Sequence, residues 1–146
     1  MPPMDPRILA YHARAGELDW YDRKSVVEYQ VGAWRLQAGS AHPFDEAAIR
    51  RMAEEDLGRT DNPLTSMNHA LLTGGERWLD RLYEVRAPAL IVHGTEDPVL
   101  PYAHGVALTE ALPETTLLTL EGTGHELHRA DWETILNALE RHTASR

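Results

Sequence analysis

Asp97 and His125 are the two residues of this sequence whose types and spacing suit them to chemistry. A carboxylate that takes a hydrogen bond from one imidazole nitrogen fixes the ring's tautomer and stabilises its protonated form. The other nitrogen is then left to act as a general base. Each residue follows a short strand-like run, an apolar one before Asp97 and a β-rich one before His125. Asp97 stands in His93-Gly94-Thr95-Glu96-Asp97-Pro98-Val99-Leu100-Pro101, and His125 in Gly122-Thr123-Gly124-His125-Glu126. In an open α/β sheet, sites form beyond the carboxyl ends of the strands. If the two runs are adjacent parallel strands, about 4.8 Å apart, the loops leaving them bring the acid and the imidazole together.

Other groups nearby offer less. His125-Glu126-Leu127-His128 lacks the i, i+4 histidine spacing of a metal-binding H-E-x-x-H helix. His93 is expected to pack beside the strand end as part of an H-G turn, so neither a metal nor a cofactor is expected. Gly122 and Gly124, a lone G-x-G, do not make a phosphate loop. Trp20, Tyr21, Trp34 and Trp78 could line an apolar cleft, although a core within their own helical region is the first expectation. Trp34 is kept as a substrate-contact candidate.

The elements that must position these residues change character near Arg86. Before it, helical periodicity dominates. Residues 45–57 place Ile49, Met52, Ala53 and Leu57 on one face, with Asp45 and Glu46 in the first turn, where carboxylates suit the helix dipole. Helices are also expected over 7–14, 22–36, 63–73 and 76–83, punctuated by Gly39-Ser40, Pro43, Pro63 and Gly74-Gly75. After Arg86 the pattern predicts β-α-β-α. Ala89-Leu90-Ile91-Val92 and Thr115 to Leu120 read as strands, with helices over 102–112 and roughly 129–142. The last helix carries Trp132, Ile135, Leu136 and Leu139 at i, i+3, i+4 and i+7. Continuous apolar strands imply a parallel sheet covered on both faces. Two strands alone leave an unpaired apolar edge, so the sequence reads as the end of a larger sheet.

H-G-T-E-D-P-V-L-P followed by G-T-G-H resembles the C-terminal end of the α/β-hydrolase superfamily. There the acid follows one late strand and the histidine the next, in the chain order nucleophile, acid, histidine. The resemblance implies Asp97 as the triad acid and His125 as the general base, with Val99 as a substrate-binding candidate. It covers residues 86–142. The helical region with Trp34, Phe44-Asp45-Glu46-Ala47-Ala48 and Asn68-His69 is similar to the cap of small esterases such as aclacinomycin methylesterase. The fold class implied is α/β, the C-terminal portion of an α/β-hydrolase fold. Residues 1–85 would form a helical cap or lid, and residues 86–146 a β-α-β-α part of the sheet.

The family's G-x-S-x-G elbow does not occur in the 146 residues. Ser25, Ser40, Ser66 and Ser145 stand in K-S-V, G-S-A, T-S-M and A-S-R contexts. The expectation is therefore a truncated carboxylic-ester hydrolase, inert alone, that supplies the acid and histidine without the nucleophile. The partners implied are a small-molecule ester for the intact family and either a complementing N-terminal half or a second copy. A non-catalytic interaction module or a subunit of a split enzyme are the alternatives.

Composition narrows the field further. A formal charge of -9 with scattered Lys and Arg argues against a nucleic-acid partner. Mean hydropathy is -0.43, and no apolar run approaches the ~20 residues needed to cross a bilayer. The sequence has no cysteine, which excludes disulfides and thiolate metal sites. Met1-Pro2-Pro3-Met4-Asp5-Pro6 does not read as a signal peptide, and a cytoplasmic location is expected.

Overall fold

The computed structural model describes residues 1–73 and 79–144. Helices come first: α1 (Pro6–Ala13) running into a 3-10 turn (Arg14–Glu17), α2 (Arg23–Gln37) and α3 (Glu46–Gly58). Each starts on an aspartate that accepts a backbone N–H of the first turn: Asp5 from Arg7, Asp22 from Lys24 and Asp45 from Ala48. Such caps satisfy donors that the helix itself cannot, typically contributing about 1 kcal/mol each. Asp45, expected inside the first turn, is thus the cap itself.

The core of this half lies between α2 and α3. Val26, Val27 and Val31 meet Ala53 and Leu57, with Leu18, Trp20, Phe44 and Ile49 packed against them. The helical spacing expected for residues 45–57 is therefore the buried face. Trp20 joins this core and donates its indole N–H to the Ala15 carbonyl. Tyr21 does not: it is 85% exposed, one residue before the cap of α2, where the chain is still turning. Trp78 lies outside the described residues, as do residues 76–78 of the helix expected over 76–83, whose described end is a turn running into a short 3-10 helix.

Residues Pro63–Leu71 form a 3-10 helix rather than the α-helix expected. The Thr65 and Ser66 hydroxyls donate to carbonyls three residues back, those of Asn62 and Pro63. Those acceptors compete with the i→i+4 pattern and favour the tighter turn. A short 3-10 turn, Leu82–Glu84, then leads into the sheet.

The second half is β1 (Ala89–Gly94), α4 (Ala103–Ala111), β2 (Thr115–Leu120), a 3-10 turn (Arg129–Asp131) and α5 (Trp132–Ala144). The strands are parallel, in register from Ala89 opposite Thr115 to Gly94 opposite Leu120. They form a two-stranded sheet. Helix α4 packs on both strands and α5 on β1. Both strands stay half-buried along most of their length, because two strands cannot cover themselves. The apolar face expected for α5 is likewise left open: Trp132, Leu136 and Leu139 are 50%, 56% and 42% exposed. No helix among the described residues is long and apolar enough to cross a membrane.

Candidate active site

Parallel register puts the ends of β1 and β2 level, and the loops leaving them interlock. Thr95 N–H donates to the Leu120 carbonyl and Glu96 N–H to the Thr123 carbonyl. Gly122 N–H donates in turn to the Thr95 hydroxyl. Asp97 is therefore carried on a loop tied to the loop of His125.

Asp97 is 7% exposed. Its Oδ1 accepts the N–H groups of Val99 and Leu100, both at 2.8 Å. Its Oδ2 stands 2.7 Å from His125 Nδ1. A carboxylate so placed only accepts, so Nδ1 is the protonated nitrogen of His125 and Nε2 carries the lone pair. The His125 side chain is 41% exposed, and among the described residues no hydrogen bond engages Nε2. The imidazole is thus oriented from behind and open in front, as a general base must be.

A strap from the helical half holds the histidine loop from its other side. The Gln37 carbonyl, at the end of α2, accepts His125 N–H at 2.8 Å, and Ala41 N–H donates to the Gly122 carbonyl at 2.9 Å. Gly39 N–H donates to Glu126 Oε1 at 3.0 Å. Ser40 donates both its N–H and its hydroxyl to Glu96, at 2.8 and 2.6 Å. The strap lies so close that a Cβ on Gly124 would stand 2.0 Å from the Gln37 oxygen and 2.6 Å from Gly39 N. Just beyond, buried Thr123 donates its hydroxyl to Asp131, which also meets His42 Nε2 at 3.0 Å.

The Ser40 hydroxyl and N–H hold the Glu96 carboxyl below its ordinary value of 4.5. A lowered value means stability that is fully present above 4.5 and is lost as pH falls through the lowered one. Glu96 is solvent-exposed, so the effect is small. Ser40→Ala is expected to lower the melting temperature by about 1–2 °C at neutral pH. That difference should shrink as pH falls below the ordinary glutamate value of 4.5, as read in circular-dichroism melts.

Val99 sits in the acid loop, contributing its N–H to Asp97. Trp34 is half-buried on the last turn of α2. No hydrogen bond or ring contact joins either to His125 among the described residues. His93 packs at the strand end, 11% exposed, with Nε2 2.7 Å from the Leu100 carbonyl and 3.6 Å from Asp97 Oδ2. Among the described residues, no group of three His, Asp or Glu side chains could hold a metal ion. The strap residues carry no sequence signal beyond the Gly39-Ser40 turn, and periodicity could not have found them.

The family described as serine aminopeptidase, S33, matches residues 18–131. The α/β hydrolase domain-containing protein 17C of Xenopus tropicalis is 41% identical over 64 residues, which are 43% of this chain and 19% of that protein. The chain thus matches about a fifth of the length of such relatives. An esterase from Exiguobacterium antarcticum superposes with a TM-score of 0.66 at 18% identity, over 92% of this chain and 46% of that one. A meta-cleavage product hydrolase from Pseudomonas fluorescens gives 0.60 at 16%, over 82% and 46%. At such identities the likeness is one of fold, and it extends over about half of each enzyme.

Proposed function

The chain belongs to the serine aminopeptidase, S33, family of α/β-hydrolases, and from that premise we propose that Asp97 and His125 are the acid and the general base of a carboxylic-ester hydrolase. The observation that carries the reading is the 2.7 Å contact from Asp97 Oδ2 to His125 Nδ1, with Nε2 left open. In this reading a serine hydroxyl attacks the ester carbonyl while His125 Nε2 takes its proton. The proton then passes to the departing alcohol, and two backbone N–H groups bind the oxyanion. Water repeats the sequence to release the acid. Asp97 holds the tautomer and the charge on the ring throughout. Residues 1–85 serve as cap, residues 86–146 as the end of the sheet, and Val99 and Trp34 as substrate contacts.

The nucleophile is proposed to come from sequence outside these 146 residues. Ser25, Ser40 and Ser66 spend their hydroxyls on Asp22, Glu96 and the Pro63 carbonyl, and Ser145 lies outside the described residues. The edge of β1 that no other described strand pairs and the exposed Trp132, Leu136 and Leu139 of α5 support a further part of the sheet as the covering partner, in the same polypeptide or in trans. A second copy of the chain on the same edge is the competing occupant, and would make a non-catalytic dimer.

Hydrolysis of an activated aryl ester tests the reading. The chain alone is expected to show no rate above that of free imidazole. Co-expression with a segment carrying G-x-S-x-G is expected to restore turnover and labelling by a serine-directed phosphonate, and His125→Ala to abolish the turnover. A triad-like rate or stoichiometric labelling of the chain alone would overturn the assignment of the nucleophile. Failure of any upstream segment to restore turnover, with a stable homodimer in sedimentation, would favour the non-catalytic alternative.

A further inference from the structure

We propose that His93 is a positioning residue for Asp97, which it holds in place by closing the loop that carries the acid; the inference rests on Asp97 and His125 being the working pair. His93 is the last residue but one of β1, and its ring is enclosed on every side that the structure describes. Nε2 lies 2.7 Å from the Leu100 carbonyl. A carbonyl oxygen only accepts, so Nε2 carries the ring proton and donates it there. Leu100 in turn donates its own N–H to Asp97 Oδ1 at 2.8 Å, beside that of Val99. Leu100 is therefore gripped at both of its backbone polar groups, by His93 on one side and by the acid on the other. The span from 93 to 100 becomes a closed loop with the Asp97 carboxylate inside it.

The rest of the surroundings keep the imidazole from turning away. Tyr102 stands edge-on to it, with ring centroids 5.8 Å apart and planes at 86°. The Tyr102 hydroxyl is fixed 2.6 Å from Thr119 Oγ1, on the residue of β2 directly opposite His93. Helix α4 closes the last side at Gly105, where a Cβ would stand 2.5 Å from His93 Nδ1 and 2.9 Å from Cγ. Any residue larger than glycine there would force the ring or the helix to shift. With Nε2–H committed to Leu100, the 3.6 Å approach of His93 to Asp97 Oδ2 leaves that oxygen to His125. His93 thereby supports the acid without competing for it.

The consequence is read at His125 and not at the strand. Loss of the His93 donor frees Leu100, loosens the two N–H groups on Asp97 Oδ1, and lets the carboxylate rotate off His125 Nδ1. Long-range 1H–15N correlation of the whole chain, with the imidazoles neutral, reports the tautomer of each ring. Wild type is expected to show His93 as Nε2–H and His125 as Nδ1–H, each with two well-separated nitrogen resonances. In H93L the two His125 nitrogens are expected to move towards one another as the tautomers mix. H93N, too short to reach Leu100 but adding no bulk, is expected to do the same and decides the matter if H93L does not fold. H93Q, whose amide N–H reaches about as far as Nε2, is expected to restore the separation. An unmixed His125 in the folded leucine or asparagine variant overturns the positioning role alone. A wild-type chain with His125 already mixed overturns both that role and the pairing beneath it.

Discussion

Asp97→Asn is expected to lower the kcat of the proposed ester hydrolase, once complemented, by about 10⁴-fold, with KM for an activated aryl ester nearly unchanged. The size of the effect follows from what Oδ2 does. At 2.7 Å from Nδ1, the carboxylate can only accept, which forces the neutral ring to keep its lone pair on Nε2. An asparagine side chain can keep the Val99 and Leu100 N–H groups satisfied through its carbonyl oxygen. It then turns its NH₂ towards His125 and donates where the carboxylate accepted. The ring flips to the Nε2–H tautomer, and the base is lost although the geometry hardly changes. The imidazolium formed in the transition state also loses its counter-charge. Both losses fall on the chemical step, which is why kcat and not KM carries them. Stopped-flow acylation rates, together with a melt showing Asp97→Asn folded, measure this directly. A loss of less than about 10-fold would mean that Asp97 does not orient the base.

Sequence patterning told a good deal about this site, and for an identifiable reason. Ala89–Gly94 opens on a short apolar run and Thr115–Leu120 is rich in strand-forming residues, and each leads into a glycine turn. Parallel pairing across a helix between them follows from their order alone. Once the strands are level, Asp97 and His125 have to emerge side by side, and they do. Burial was harder to read. The face of α5 shows the helical spacing of a buried surface, yet Trp132, Leu136 and Leu139 stay exposed, because a pattern marks which face is apolar and not what covers it. Tyr21 failed differently: aromatic character favours burial, but a residue at a helix entry has no neighbours to bury it. Of the strap only the Gly39-Ser40 turn was legible, and none of its contacts. Ser40 and Glu96 are 56 positions apart and Gly39 and Glu126 are 87 apart, and no periodicity connects them.

That strap sets the second large expectation, since the histidine loop is held by backbone approach and not by side chains. Gly124→Ala is expected to destabilise the chain by about 3–4 kcal/mol, lowering its melting temperature by roughly 10 °C. The new Cβ would fall 2.0 Å from the Gln37 oxygen and 2.6 Å from Gly39 N. Neither obstacle is the far end of a flexible side chain, so relief requires the strap and the loop to separate. Separation costs the bond from His125 N–H to the Gln37 carbonyl, at 2.8 Å, and half-buried backbone groups left without partners are costly. It also strains the Gly39 N–H to Glu126 contact, while the Ser40–Glu96 pair, on the other side of Gly39, can survive. The two ends of the strap should therefore uncouple. Hydrogen exchange is expected to rise first at the amides of Gly39, Ala41 and His125, with those of α2 and α3, whose core of Val26, Val31 and Leu57 is untouched, protected as before. Uniform loss of protection would instead mean that the strap and the helical core unfold as one unit, and that the histidine loop is no separate structural element.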